Sequence, residues 1–478
     1  MTYFSIKFEK DLLYSLKILS SDKKLKNILN ESEYNFTNCF IKGLIGSLSA
    51  SREFEIFISD LYSRKLKKKY FFNSLEEMEV AKILLKKYKL KTSLGFQNKI
   101  KYFIYLFIFK IILKLLICLN KILDKKSNIH LKNIYFYIIN LRNIKVAEKI
   151  GATRKNTFNK FLIFKNILNL FSKKQNFFLK KYVNNKFLSI QRMWLNFYLI
   201  QSSVLILKPK MILSFEGDAW DHEMLYLLSK KIGFKSLCIQ TATDLETFQK
   251  AGFHNLRHTK LLVWGKHYKN IYSKISSGQS IKIVGDILLD EKTKSKDKKY
   301  IGVLLQKKNN KISEKNLEKF KYLVKWLFKE FNGKIIIRPH PADKDDYYNL
   351  QSLISNNDAI IHNPNEVSIG TTLNECSMVF AKYSSTIVEA ASVGVIPVIL
   401  DTSLKFEAKI EDLRKYNPIL ISNSVEQIKK SITILQNNGK KREFIKKKII
   451  SNFKNHINYF GKDSLKLIKS EIMNEFKK

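Results

Sequence analysis

The chain has 478 residues, a formal charge of +44 and four cysteines. This length suffices for two or three domains with cores of their own. Only nine of its 86 basic residues are arginines, and its lysines are spread along the whole chain, whereas nucleic-acid binders usually gather arginine on one face. We therefore expect no nucleic-acid partner, and we expect the charge to attract acidic surfaces such as anionic lipid.

Cysteine and histidine spacing excludes the common metal sites. The cysteines form no CxxC pair, which argues against structural zinc and against a disulfide framework; they are Cys39, Cys118, Cys238 and Cys376. His254 and His258 have i, i+4 spacing but lack a nearby third ligand, so we predict no metal. Because the N-terminus has no apolar signal segment, we predict a cytoplasmic protein.

Residues 1–130 contain no proline and are predicted to be mainly helical. Their most apolar stretch, Tyr102 to Leu123, is interrupted by Lys110 and Lys114 and is too short to span a bilayer. On a helical wheel its lysines fall in one narrow sector beside a broad apolar face, which favours a helix lying in the membrane interface. The alternative is an ordinary core helix with a solvated lysine edge.

From residue 131 the pattern changes to alternating strands and helices, which predicts parallel sheets. We place a first Rossmann-like domain at 131–291, a lysine-rich boundary at 292–299, a second Rossmann-like domain at 300–424 and terminal helices at 425–478. Ligands of such folds bind beyond the carboxyl ends of the strands.

Two strand ends in the second domain carry polar residues suited to a nucleotide phosphate. His340 lies between Pro339 and Pro341, directly after the strand that ends at Arg338, so its backbone is rigid. The run Ser384, Ser385 and Thr386 begins a helix, where free N–H groups and the helix dipole favour an anion. Simple helix capping by these serines is the alternative.

In the first domain, the buried strand Met211–Phe215 ends on Glu216, Gly217 and Asp218. A carboxylate at this position can act as a general base facing a cleft between the domains. The alternative, common for an isolated Glu-Gly pair, is a carboxylate that caps the next helix or pairs with a lysine.

These motifs, in this order, resemble those of GT-B glycosyltransferases of bacterial capsule and surface-polysaccharide assembly, including sialyltransferases, polysialyltransferases and Kdo transferases. Glu216-Gly217 is similar to their acidic-Gly motif, His340-Pro341 to their His-Pro motif and Ser384-Ser385 to their serine motif. The sequence departs from the pattern twice. Phe215 replaces a first acidic residue, and Gln240-Thr241-Ala242 stands where many relatives have Gln-His-Gly.

The resemblance implies a GT-B fold and inverting, metal-independent transfer of a sugar, expected to be an acidic sugar from a CMP donor, onto a surface glycan or a lipid-linked precursor. Glu216 would be the base and His340 would contact the leaving phosphate. The implied nucleotide-binding residues also include Arg338, Pro341, Ser384, Ser385, Thr386 and Glu389, and other expected cleft residues are Gly217, Asp218, Gln240 and Gly285. No cofactor is expected beyond the nucleotide-activated donor.

Other functions remain open on the sequence alone. Within the same fold, the chain could transfer glycerol phosphate from CDP-glycerol or could epimerise a nucleotide sugar. A non-catalytic, lysine-rich protein that binds membranes or nucleic acid is the alternative outside that class. The predicted partners are a nucleotide sugar, a glycan or glycolipid acceptor and the inner face of the cytoplasmic membrane.

Overall fold

A computed structural model describes residues 3–30, 35–49, 51–96, 99–120, 133–138, 141–153, 155–158, 187–216, 219–242, 254, 256–276, 278–289, 300–305, 314–331, 334–340, 359–381, 384, 386–400 and 420–478. The predicted linker at 292–299 lies outside these residues.

The N-terminal region consists of helices with a small parallel sheet that its sequence did not predict. Ser51 and Ser74 begin two of the helices, each accepting a hydrogen bond from the third residue after it, as N-caps do. The elements are α1 (Tyr3–Ser20), α2 (Lys23–Asn30), α3 (Thr37–Ser49), α4 (Arg52–Tyr62), β1 (Lys69–Phe72), α5 (Leu75–Lys87), β2 (Ser93–Phe96) and α6 (Lys99–Asn120).

A six-stranded parallel sheet follows, with strand order β4-β3-β5-β6-β7-β8. Its central strand β5 is buried along its whole length, as expected for a strand covered on both faces. The elements are β3 (Ile134–Tyr137), α7 (Leu141–Ile150), β4 (Thr157–Phe158), α8 (Leu188–Leu207), β5 (Met211–Phe215), α9 (Trp220–Ile232), β6 (Lys235–Ile239), β7 (Lys260–Val263), α10 (Lys266–Ile275) and β8 (Ile281–Ile283).

A second six-stranded parallel sheet has the order β11-β10-β9-β12-β13-β14, which is the strand order of a Rossmann fold. Three helices follow it. The elements are β9 (Tyr300–Leu304), α11 (Glu314–Glu330), β10 (Ile335–Arg338), β11 (Ile360–Ile361), α12 (Ile369–Glu375), β12 (Cys376–Ala381), α13 (Thr386–Ser392), β13 (Ile396–Leu400), β14 (Ile421–Ser422), α14 (Val425–Asn437), α15 (Gly439–Phe453) and α16 (Gly461–Lys477).

The first sheet is covered by elements from both ends of the chain. On one face, the N-terminal helices share a hydrophobic core with α8, α9 and the sheet residues Tyr137 and Ile212. On the other face, Ile468 and Ile472 of α16 pack with α7 and with Met211 and Leu213 of β5. The N-terminal helices are therefore a layer of the first domain rather than a separate unit. The predicted α/β fold, with two Rossmann-like domains and a helical N-terminal region, is confirmed.

Candidate functional site

Glu216 lies at the carboxyl end of β5 in a strained conformation. Its φ is +78°, a left-handed value that residues with a Cβ rarely adopt and that often accompanies a functional position. Its carboxylate Oε1 accepts a hydrogen bond from the Thr241 hydroxyl at 3.2 Å, and that hydroxyl oxygen lies 3.3 Å from the side-chain amide of Asn143 on α7. Thr241 and Asn143 are both buried, so the carboxylate is held by an interior network.

Beside Asn143, Arg142 connects the two domains. Its guanidinium binds the carboxylate of Glu389 on α13, in the second domain, and lies 3.5 Å from the carboxylate of Asp286, which follows β8 in the first domain. It also stacks 5.5 Å from the Trp264 ring centre. Residues that follow two strands of the first domain and a helix residue of the second therefore meet at a single arginine.

Arg142, Asp286 and Glu389 form a group that we call the Arg142 cluster, and its charges shift the pKa values of Arg142 and Asp286. Burial, together with the nearby Glu389 carboxylate, raises the pKa of Asp286 to about 7, although Arg142 opposes this. Burial alone would lower the pKa of Arg142, but Glu389, Asp286 and Glu216 raise it. Titratable groups with such shifts in a cleft are typical of functional sites.

The cluster also retains unused hydrogen-bonding capacity. Arg142 Nε and Glu389 Oε2 are buried, and neither has a hydrogen-bond partner among the described residues. An unsatisfied buried polar atom is costly, so these atoms are suited to contact a bound polar ligand.

Two more cations approach from either side of the junction. Arg338, at the end of β10, donates to the Thr372 hydroxyl at 2.9 Å, and burial lowers its pKa to about 10, with Glu389 opposing and Arg142 reinforcing this shift. Lys145 of α7 reaches across to the backbone carbonyl of Pro364, and its pKa is lowered by burial and by Arg338. The junction therefore brings three cations from both domains beside the carboxylates Glu216, Asp286 and Glu389.

The remaining nucleotide-site candidates lie at the predicted strand ends. His340 is half-buried directly after β10. The Ser384 hydroxyl accepts a hydrogen bond from the Thr386 backbone N–H at 3.2 Å, so it caps the start of α13. Thr386 is half-buried at that start, and Glu389 lies one turn further on. Gly217, Asp218, Pro341 and Ser385 lie outside the described residues.

Two predicted cleft residues have internal roles in the structure. The Gln240 side chain is buried, accepting from the backbone N–H of Trp264 at 2.9 Å and donating to the Ala242 carbonyl at 3.0 Å. Gly285 has a φ of +84°, and a Cβ there would lie 2.1 Å from the carbonyl oxygen of Tyr459. These residues fix strand ends, and their buried neighbours Thr241 and Asp286 contact Glu216 and Arg142.

Sequence reasoning missed Arg142, Asn143, Thr241 and Asp286 as site residues. Two weak signals were present: Arg142 is one of only nine arginines in a lysine-rich chain, and Asp286 follows a glycine at a strand end. In the part of the chain that the structure describes, no three histidine, cysteine, aspartate or glutamate side chains are grouped to hold a metal ion. None of the helices in the described ranges is long and apolar enough to cross a bilayer.

No protein-family model matches the chain, and no curated protein matches it either. Three solved structures illustrate the similar architectures. S. aureus MnaA in complex with UDP is 12% identical over 73% of this chain and 98% of its own, with a TM-score of 0.45. CalG4, the calicheamicin glycosyltransferase, is 10% identical over 73% and 99%, with a TM-score of 0.44. UDP-GlcNAc 2-epimerase from Neisseria meningitidis, bound to UDP-GlcNAc, is 13% identical over 71% and 99%, with a TM-score of 0.43. The assignment of the fold rests on the strand order and parallel register of the two sheets.

Proposed function

We propose that the protein is a nucleotide-sugar-dependent glycosyltransferase that moves an acidic sugar from a CMP donor onto a cell-surface glycan or a lipid-linked precursor. One observation carries this proposal: Arg142, Arg338 and Glu389 meet at the junction of the two sheets. The carboxylate of Glu216, whose backbone is strained, lies at the same junction. One side of the junction offers cations for a phosphate, and the other offers a carboxylate for a hydroxyl.

In this proposal, Glu216 removes the proton of the acceptor hydroxyl as the oxygen attacks the anomeric carbon, and the bond to the nucleotide phosphate breaks with inversion. Thr241 orients the Glu216 carboxylate through their 3.2 Å hydrogen bond. His340 and Arg338 lie at the strand end where the leaving phosphate would be stabilised, and such electrostatic stabilisation is commonly worth a few kcal/mol. No step requires a metal.

Nucleotide binding is the first test. Because a ligand that binds only the folded state stabilises it, we expect CMP to raise the Tm of the purified protein more than UDP, GDP or CDP do. We expect Arg338→Gln and His340→Ala to reduce this shift. Glu318→Gln, on an exposed carboxylate of α11, is the matched surface control and should leave it unchanged. No shift with any nucleotide would refute the proposal, and a preference for CDP-glycerol would favour glycerophosphate transfer.

The second test addresses catalysis. With a CMP-linked acidic sugar, we expect Glu216→Gln to lower kcat by at least a hundredfold while the CMP-induced rise in Tm is retained, because the variant loses the base and keeps the shape. Near-normal turnover in both Glu216→Gln and His340→Ala would exclude the proposed roles.

The proposed place of action is the surface of an anionic membrane, and α6 carries this part of the proposal. Of its side chains, Tyr102 and Leu106 are buried against α8, whereas a broad face of large apolar residues is exposed to between 40% and 78%, namely Ile100, Phe103, Ile104, Tyr105, Phe107, Ile108 and Ile111. A core helix would bury this face, so the core-helix alternative fits poorly. The chain's large positive charge complements anionic headgroups, so the occupant that we propose is an anionic bilayer.

A further inference from the structure

A pocket of about 430 Å³ lies between the N-terminal helices and His254. Its volume is in the range of small-molecule sites and suits one or two sugar residues. Its polar lining includes three lysines, one histidine and two side-chain amides: Lys17, Lys26, Lys42, His254, Asn30 and Asn38. The amides and neighbouring hydroxyls of the pocket are groups that bind sugar hydroxyls.

The pocket carries an excess of positive charge. Lys42 is buried and binds one oxygen of Glu223 at 3.2 Å, and Arg257 binds the other oxygen, so one carboxylate serves two cations. Lys17 and Lys26 are exposed, and no carboxylate among the described residues pairs with either. His254, which also lines the pocket, is paired with Glu9 at 2.9 Å. Lys17 and Lys26 are therefore the pocket cations that no carboxylate among the described residues offsets.

One contact links the pocket to the segment that follows Glu216. Lys42 binds Glu223, which is in the first turn of α9, directly after Glu216 and β5. The pocket residues belong to the N-terminal helices and to the first domain, whereas the donor-side residues Arg338 and Glu389 belong to the second domain. In the proposed function the first domain is the acceptor side.

We propose that this pocket binds an anionic sugar residue of the acceptor glycan, held by Lys17 and Lys26 through its acidic group and by Asn30 and Asn38 through its hydroxyls. The proposal rests on the proposed transferase function, because it assigns the acceptor class of the same reaction. It makes the enzyme one that extends a chain that is already acidic.

Binding of defined saccharides tests the pocket. Isothermal titration would use 3′-sialyllactose, whose acid is a carboxylate, glucose 6-phosphate, whose acid is a phosphate, and neutral lactose. We expect at least one acidic sugar to bind at least tenfold more tightly than lactose. The acidic sugar with the higher affinity shows whether the pocket prefers a carboxylate or a phosphate. Equal affinity for lactose, or no binding of any of the three, would overturn the proposal.

Charge-reversal variants locate the site. We expect Lys17→Glu/Lys26→Glu to weaken binding of the acidic sugar at least tenfold. Lys447→Glu/Lys448→Glu makes the same change in net charge on exposed lysines of α15 and should change the affinity less than twofold. Asn38→Ala, which leaves the charge unchanged, should weaken binding severalfold. If the pocket variant and the α15 variant weaken binding equally, the pocket is not the site.

The same proteins separate this proposal from the transferase proposal. If CMP raises the Tm of all variants and no acidic sugar binds in a Lys17- and Lys26-dependent way, the acceptor pocket is wrong and the nucleotide site stands. If acidic sugars bind as expected and no nucleotide raises the Tm, the transferase proposal is wrong and the pocket is an acidic-sugar site of another function.

Discussion

Arg142 joins the two domains by a buried ionic contact. It is the counter-ion of both Glu389 and Asp286, whose side chains are almost fully buried. Removing one partner of a buried ionic group leaves uncompensated charge, which typically costs about 3–5 kcal/mol. We expect Arg142→Ala to lower the free energy of unfolding by about that amount in urea titrations.

Two substitutions calibrate this measurement. Arg142→Lys keeps the charge but loses the planar fork, so we expect an intermediate loss. Arg64→Ala, at an exposed position, should change the stability by less than about 0.5 kcal/mol. A result for Arg142→Ala as small as that for Arg64→Ala would contradict the role that we assign to the cluster.

Asp286 predicts a pH dependence of stability. Its folded-state pKa is raised to about 7, above the usual value of about 3.9 for an unfolded aspartate. The stability that its protonated form contributes is thus complete below about pH 4 and is lost as the pH rises through about 7. The amide of Asp286→Asn cannot ionise. We therefore expect the Tm of the variant minus that of the wild type to increase between pH 4.5 and pH 8. A difference in Tm that is constant over this range would show that Asp286 does not titrate there.

At the scale of elements, α6 gives the sharpest prediction. We expect the wild-type protein to co-sediment with vesicles that contain phosphatidylserine. Replacing Phe103, Phe107 and Ile108 by serine removes three of the exposed apolar side chains, which should reduce binding at least fivefold. Phe444→Ser, on an aromatic residue of α15 that is 66% exposed, is the matched control and should bind as the wild type does. Unchanged binding of the triple variant would show that α6 is not the membrane contact.

The elements that the sequence predicted best are those whose signal is local. Met211–Phe215 and Ile335–Arg338 read as strands because a fully buried parallel strand needs an uninterrupted apolar run. The small sheet of β1 and β2 was missed because each strand has four residues within a region of strong helical pattern. Short strands gain their stability from pairing, which no local pattern reveals.

The same distinction applies to the site. Glu216, His340 and Glu389 could be proposed because they follow recognisable strands or helix starts. Arg142 could not, since its partners Asp286 and Glu389 are 144 and 247 residues away in sequence. Which charges meet across two domains is decided by tertiary packing alone.

Over the whole molecule, the charge of +44 predicts that salt is stabilising. Exposed lysines repel one another in the folded state, and added ions screen that repulsion. We therefore expect the Tm to rise between 50 and 300 mM NaCl. The buried Arg142–Glu389 pair is screened much less, so the difference in stability between the wild type and Arg142→Ala should stay nearly constant over the same series. A fall in the wild-type Tm would mean that surface ion pairs outweigh the repulsion.

After the predicted linker has led into the second domain, the chain makes a second passage, back to the first domain, between α15 and α16. The second passage lies tightly against the first domain: Asp286 pairs with Phe460, and Gly265 and Gly285 leave no room for a Cβ beside the backbone of residues 455–459. Because the returning chain is held to the first domain beside Asp286, we expect relative motion of the domains to displace the Arg142 cluster least. The Arg142–Glu389 pair would then persist while parts of the molecule further from this attachment move.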